Sequence, residues 1–350
     1  PRAPSRRGLA VCFVALCAAL WPGVAVAHGE ETPAATDYRV TITRTPDIPG
    51  VSVRVVEAGA RLELRNEGDD AVEVLGYSGE PYAELRPDGV YVNVNSPAAY
   101  LNESMSGETE TPAQASPAAA PRWEKAGDAP VLRWHEHRAH WMSSAPPPVA
   151  ADDPGRDHRI LEWTVPLRTG TVEHEVTGTL DWVAPPATST WLAGTLLLAG
   201  GVVALLAYTR AKPKTQAALT ASMIGLAGAT AIADAAGRSL VTADAQAGWL
   251  AVLATGQAWP AAAGAAATAA AGYAAARKPA ADLAVGLAGA TLLMVVGLSR
   301  FPALTSAITP TPWTGDVART LLTATLGLGA GLAVAVALQS RQAPTRRITA

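Results

Sequence analysis

From Trp191 to Leu338 the chain carries five apolar runs of about twenty residues each, at 191–208, 217–236, 247–272, 280–298 and 320–338, and no other feature narrows its fold so far. A helix of that length matches the hydrocarbon thickness of a bilayer, so each run predicts a transmembrane helix. With no water in the bilayer interior, the backbone must satisfy its own hydrogen bonds, and a helix does so within one segment. The runs are rich in alanine and glycine, as in AAAGAAATAAAGYAAA and LGLGAGLAVAVA. Small residues let helix backbones approach closely where lipid supplies no hydrophobic contrast. The expectation is a compact five-helix bundle over 191–338, with Pro260 kinking the third helix, followed by a short tail at 339–350.

Charge between the runs predicts the orientation. Arg210, Lys212 and Lys214, then Arg277 and Lys278, then Arg341, Arg346 and Arg347 all fall on one side. Lysine and arginine are enriched in cytoplasmic loops, so that side is read as the cytoplasm. The opposite loops hold Arg238, Arg300 and Arg319, mixed with Asp244 and Asp316. Five spans then leave the N-terminal region outside and the C-terminus cytoplasmic, as in a multi-pass plasma-membrane protein in contact with membrane lipid. The first residues agree: Arg2, Arg6 and Arg7 precede an apolar stretch from Gly8 to Leu20, and Ala25-Val26-Ala27 forms a small-x-small signal. This pattern predicts a signal peptide over 1–27, cleaved before His28. Both cysteines, Cys12 and Cys17, lie within it. Disulfide and thiolate chemistry are therefore excluded from the expected mature chain.

Residues 28–190 read as β-structure. YRVTITRT, VSVRVVE, ARLELRN, AVEVLG and GVYVNVN alternate apolar and polar residues, with PDIPG, EAG, EGDD and RPDG as turns between them. Strand signals return in VLRWHEH, RILEWTVPLR and TVEHEVTGTLDWV. The spacing predicts an all-β extracytoplasmic sandwich, Ig-like or cupredoxin-like, ahead of the helical membrane bundle. A Ser/Thr/Pro/Ala stretch near 102–120 reads as a disordered insertion, and APPATST as a tether to the first helix. This region holds 13 Arg or Lys against 26 Asp or Glu, a balance of −13, whereas 191–350 holds 11 against 4, or +7. So acidic an outer domain excludes nucleic acid as a partner.

All six histidines, His28, His135, His137, His140, His158 and His174, lie in this outer region. Three of them fall in RWHEHRAHWM, from Arg133 to Met142. On a strand His135 and His137 would share a face, because side chains alternate with period two, and two imidazoles on one face can bind one ion. His140 and Met142 would be auxiliary ligands. His28 would become the first residue of the mature chain, its free amine and imidazole together forming a chelate that favours Cu(II). The competing reading makes His135, His137 and His140 a solvated strand and turn anchored by Trp134 and Trp141. His158 reads as an exposed turn residue and His174 as a core histidine bonded to backbone. Among the membrane acids, Asp234 and Asp282 read as interfacial or helix-end groups.

His28-Gly29-Glu30 after a signal, with Trp134-His135-Glu136-His137 and Met142 downstream, is similar to the copper site in the soluble domain of the large subunit of particulate methane and ammonia monooxygenases. The likeness covers only these two stretches, and the helical region does not match that subunit. It implies His28, His135 and His137 as copper ligands on a cupredoxin-like scaffold. The layout, an outer β-domain joined to several membrane helices, also resembles copper-resistance membrane proteins. Together with its Ala-rich, Arg-rich composition and the WHxHRxHWM motif, it looks like a membrane-protein family of high-GC Gram-positive bacteria. The reading that follows is an extracytoplasmic copper-binding membrane protein for capture, delivery or homeostasis, with envelope copper-trafficking or respiratory proteins as partners. The alternative is a metal-free, membrane-anchored interaction or scaffold protein of the envelope. No nucleophile triad, phosphate loop or paired-carboxylate motif supports an enzyme.

Overall fold

A computed structural model describes residues 33–242, 257–278 and 280–342. The expected signal peptide, His28, the tail beyond Gln342 and the first half of the third apolar run lie outside these residues. Ten strands form two antiparallel sheets. The larger contains β1 (Tyr38–Arg44), β4 (Val72–Leu75), β5 (Pro81–Arg86), β6 (Gly89–Asn93), β7 (Trp123–Gly127), β9 (His158–Thr169) and β10 (Val172–Trp182), in the order β1-β10-β9-β4-β5-β6-β7. The smaller contains β2 (Val51–Val56), β3 (Arg61–Asn66) and β8 (Val131–Trp134), in the order β2-β3-β8. Alternation explains the burial: on β9, Trp163, Val165 and Leu167 are buried while Glu162 and Thr164 face out. Leu62, Leu64, Leu132 and Trp134 of the small sheet share one apolar core with Val74, Leu85, Leu167, Val176 and Leu180 of the large one. β9 and β10 make one long hairpin around Gly170, whose φ of 56° is a turn conformation that glycine adopts without strain.

The segment expected as a disordered insertion is irregular chain after the short helix α1 (Ala98–Leu101). Ser116 donates its backbone N–H to the Asn95 carbonyl, and the Asn95 amide donates to Ala120 O. A second short helix, α2 (Pro148–Asp152), precedes β9.

The helical part comprises α3 (Thr188–Tyr208), α4 (Pro213–Thr242), α5 (Ala258–Ala275), α6 (Ala281–Thr291), the short α7 (Pro302–Thr305) and α8 (Gly315–Gln342). A π-helical stretch, Leu292–Gly297, continues α6 to Arg300. Four helices among the described residues are long and apolar enough to cross a membrane, Thr188–Ala211, Pro213–Val241, Ala281–Arg300 and Gly315–Arg341. The expected fifth, α5, is not one of them. Of the expected run only the stretch from 257 is described, and there α5 is an 18-residue helix in which Trp259, Pro260, Thr268, Tyr273 and two glycines dilute the apolar character of its alanines. Pro260 does not kink it either: it stands in the first turn, where no N–H has an intrahelical partner to lose.

Glycine contacts set the helix directions. Gly194, Leu198 and Val202 of α3 meet Thr323, Gly327 and Gly331 of α8 in that order, so these two run parallel. Gly228 and Gly225 of α4 meet Gly264 and Ala271 of α5, and Gly289 and Gly286 of α6 meet Gly329 and Val336 of α8, so both pairs are antiparallel. A Cβ on Gly228 would come within 2.5 Å of the Gly264 carbonyl oxygen, which explains why glycine stands there. Thr230 and Thr325 share a buried 2.8 Å hydrogen bond between α4 and α8. Because α3 follows β10 directly, the β-domain sits at the end where α3, α5 and α8 begin. Arg210, Lys212, Lys214, Arg277, Lys278 and Arg341 all stand at the opposite end.

Candidate functional site at the joint between the β-domain and the helices

The histidine stretch departs from the sequence expectation. β8 ends at Trp134, and His137–Ala139 forms a 3-10 turn, so His135 and His137 do not lie on one strand face. Glu136 causes the departure: its carboxylate accepts from the Arg138 backbone N–H (3.1 Å), the Arg138 side chain (2.7 Å) and the Trp134 indole (2.9 Å), folding the chain back on itself. Glu136 is completely buried, and Arg138 both neutralises it and lies 4.9 Å over the Tyr77 ring. The carboxylate of Glu136 first among several causes raises the Arg138 guanidinium's hold on its proton against the opposing effect of burial, which is the larger single influence.

His135 is 2% exposed. Arg61 Nε donates to its Nε2 (3.0 Å), which leaves the ring proton on Nδ1 for the Ala60 carbonyl (2.9 Å). His140 reaches the Glu136 carbonyl from Nδ1 and the Gly59 carbonyl from Nε2, both at 2.7 Å. Every nitrogen of these two rings thus already faces a protein partner rather than open space. His137 differs: Nε2 donates to Ser104 O (2.9 Å), and its ring stacks on Tyr77. Its Nδ1 makes no hydrogen bond among the described residues. Met142 is exposed. Among the described residues no three of His, Cys, Asp and Glu converge as a metal-binding group. His158, half-buried, bonds the Asp153 carbonyl, and His174 bonds the Thr169 hydroxyl rather than the backbone.

The carbonyls held by His135 and His140 belong to one turn. Glu57 and Ala58 have φ of 57° and 58°, left-handed values that cost a non-glycine residue energy, and Gly59 follows at 103°. Strain of this kind persists only where surrounding groups over-determine it. Here His140 holds Gly59, His135 holds Ala60, and Arg61 sits 3.5 Å from the Glu57 carboxylate. The turn abuts the helices: Ala58 and Val241, near the end of α4, line the same cavity.

Around that cavity the β-domain is fastened to the bundle. Thr36 and Ile308 exchange two backbone hydrogen bonds of 3.0 and 2.8 Å. Asp37 accepts from the Ala307 N–H at 2.7 Å. Burial raises the Asp37 carboxyl above its ordinary value, against the lowering effects of that hydrogen bond and of Arg319. Arg238 donates to the carbonyl of Pro33 and to Gln257, both at 3.1 Å. Beneath lie two more buried arginines. Arg300 forms a two-pronged pair with Asp234, at 2.7 and 2.8 Å, in which the partners are 4% and 2% exposed. Arg319 donates to the carbonyls of Ala303, Ser306 and Ala307, at 3.2, 2.7 and 2.8 Å.

Asp234 is thus not a helix-end group but, within α4, the counter-ion of a buried arginine. The signal that could have found the pair was the presence of four ionisable residues, Asp234, Arg238, Arg300 and Arg319, within or beside apolar runs, where a charge demands a partner. Asp282 does stand in the first turn of α6, where an acid complements the helix dipole. Compared with protein-family models, curated proteins and solved structures, the chain matches none.

Proposed function

We propose that the protein is a membrane-anchored interaction protein of the cell envelope, whose helices hold an outer β-domain in a fixed pose so that the domain can present a binding surface. The observation that carries this reading is the use of His135 and His140 to clamp the strained 57–60 turn at the helix joint. Those rings act as structural braces, and the domain is tied to the bundle by four further contacts from Pro33, Thr36, Asp37 and the turn itself. A domain built to capture and hand over an ion would need freedom that these ties remove.

The orientation follows the charge. Six described Lys and Arg residues gather at the end of the bundle remote from the β-domain. The arginines at the near end are buried against Asp234 and carbonyl oxygens. The remote end is therefore the cytoplasmic one and the β-domain lies outside. The test is a distance measurement between spin labels on cysteines replacing the exposed Glu162 and Tyr208, in the full chain in lipid nanodiscs. One narrow distance supports a fixed platform; a broad or two-peaked distribution overturns it.

A second reading, metal capture, keeps one observation in its favour. His137 donates Nε2–H to a carbonyl and leaves Nδ1 open, the arrangement in which a backbone acceptor orients a metal-ligating imidazole. Copper would then rest on His137, with His28 and Met142 as candidate co-ligands, while His135 and His140 take no part. Titration of the full chain with Cu(II), followed by electron paramagnetic resonance, separates the readings. One tight equivalent lost in His137→Ala favours metal capture, and binding indifferent to that substitution removes it.

A further inference from the structure

Between α1 and β7 the chain runs from Asn102 to Arg122 without a helix or strand. Both ends of this stretch are fixed. Ser104 O accepts from His137 Nε2, the Ser116 N–H bonds the Asn95 carbonyl, and the Asn95 amide reaches Ala120 O. The middle is not: among the described residues no hydrogen bond or ion pair ties 108–114 to the rest of the β-domain, and Pro112 O accepts only from the nearby Ala115 N–H.

The hydroxyls of the stretch divide in the same way. Ser104 Oγ accepts from the Gly107 N–H and lies 3.3 Å from Ser106 Oγ, and Ser116 Oγ accepts from the Ala118 N–H. The hydroxyls of Thr109 and Thr111 make no hydrogen bond among the described residues. Thr109 is half-buried and Thr111 exposed. Pro112 steers the backbone of Thr111 away from the helical region and toward an extended one.

Neighbouring charge narrows the chemistry that Thr111 suits. Glu108 and Glu110 are exposed, and neither has a cationic partner among the described residues. A phosphate on Thr111 would bring about −1.5 to −2 charges beside these carboxylates and be repelled. A sugar brings bulk and hydroxyls without charge. Serine and threonine interspersed with proline are the composition of O-glycosylated chain. The Asn-x-Ser sequence Asn102-Glu103-Ser104 offers no competing site, because Asn102 is 4% exposed and its amide nitrogen is buried.

We propose that Thr111 is an O-glycosylation site for a hexose. The inference rests on the orientation argued above, which places the β-domain outside. The donor class is a hexosyl polyprenyl phosphate, a lipid-linked sugar at the outer face of the membrane. Thr111 Oγ1 attacks the anomeric carbon, the bond from that carbon to the phosphate oxygen breaks, polyprenyl phosphate departs, and the hydroxyl proton passes to a base of the transferase. The sugar then covers a tract of backbone that the domain leaves open to proteolysis.

The test is mass spectrometry of the full chain purified from the membranes of its source cell, with electron-transfer fragmentation of the peptide spanning Glu103–Arg122 to place each hexose. A hexose on Thr111, lost in Thr111→Ala, supports the site. That substitution removes no hydrogen bond, so an unfolding temperature equal to that of unglycosylated wild type shows that the loss is not one of folding. A bare Thr111, with or without hexose on the bonded serines, or a phosphate there, overturns it. Labelling of Gln114→Cys by an impermeant maleimide on intact cells, in a Cys12→Ala/Cys17→Ala chain, tells the two readings apart. A labelled but bare loop overturns the glycosylation alone; an unlabelled loop lies inside and overturns the orientation with it.

Discussion

The β-domain and the helix bundle both hold ion pairs with a buried partner, and they satisfy their arginines by different means. In the β-domain the partner is a carboxylate or ring close by on the sheet. Glu63, on the central strand of the small sheet, lies directly between Arg54 and Arg133 on the two neighbouring strands, each Nε 2.6 Å from one of its oxygens. Among the described residues of the bundle there is one buried acid, Asp234, for three buried arginines, and Arg238 and Arg319 draw on carbonyl oxygens instead. A sheet can place an acid opposite any arginine through its register. A helix consumes its own carbonyls, so free ones exist only at helix ends and breaks. The bundle's arginines therefore gather where α7 ends and where the β-domain's first residues arrive, and this makes the joint between domains part of the bundle's own electrostatic compensation.

The largest expected effect tests that dependence. Asp234→Ala would leave Arg300 buried without its counter-ion, and breaking a buried pair from one side costs about 3–5 kcal/mol. Thermal unfolding in detergent should show a large fall for this variant and almost none for Asp316→Ala, whose carboxylate is 83% exposed. Equal, small losses in both would mean that the bundle compensates its arginines by some other route, and the contrast with the β-domain would fail.

A second, smaller effect separates the histidines from one another. His135→Ala removes the ring that accepts from Arg61 Nε and holds the Ala60 carbonyl, and it releases the strained turn, so a loss of about 2 kcal/mol is expected. His137→Ala gives up one hydrogen bond to Ser104 and a ring contact with Tyr77, for a loss nearer 1 kcal/mol. Urea unfolding of the full chain checks the order. The reverse order would make His137, not the 57–60 clamp, the brace of the domain.

The strands and most helices were legible in the sequence because periodicity is local. Alternation in RILEWTVPLR and TVEHEVTGTLDWV predicts β9 and β10, and of the five apolar runs four fall on helices of spanning length among the described residues. The described part of the third run, α5, is diluted by Trp259, Pro260, Thr268, Tyr273 and two glycines among its alanines. The histidine stretch was misjudged because strand spacing was carried past Trp134, although Glu136 could cap a turn through the backbone of Arg138. Non-local partners left least trace. Nothing around Asp234 names Arg300, 66 residues on, and nothing around Arg238 names Pro33, 205 residues back. Such pairings follow from helix direction and packing, which the order of residues does not express.

The smallest effect sharpens the comparison through pH. Burial acts to raise the Glu63 carboxyl, but hydrogen bonds from Arg54 and Arg133 and their charges outweigh it and hold the carboxyl below its ordinary value of 4.5. A folded-state value below the unfolded one means that Glu63 contributes stability in full above pH 4.5, lost as pH falls through the lower folded value. Asp37, at the joint, has the opposite sign. Burial lifts its carboxyl above the ordinary 3.8, so its contribution is largest once it is protonated and is lost as pH rises through the raised folded value. Unfolding of the full chain from pH 7 to 3 should show Glu63→Gln flattening the acid limb. Asp37→Asn keeps an oxygen for the Ala307 N–H, so it should match or slightly exceed wild type at pH 7, and any advantage should shrink as pH drops and wild type gains the contribution of protonated Asp37. If Asp37→Asn instead destabilises strongly at pH 7, its charge is held by Arg319 as tightly as Glu63 is held by its two arginines, and the joint would follow the β-domain's rule.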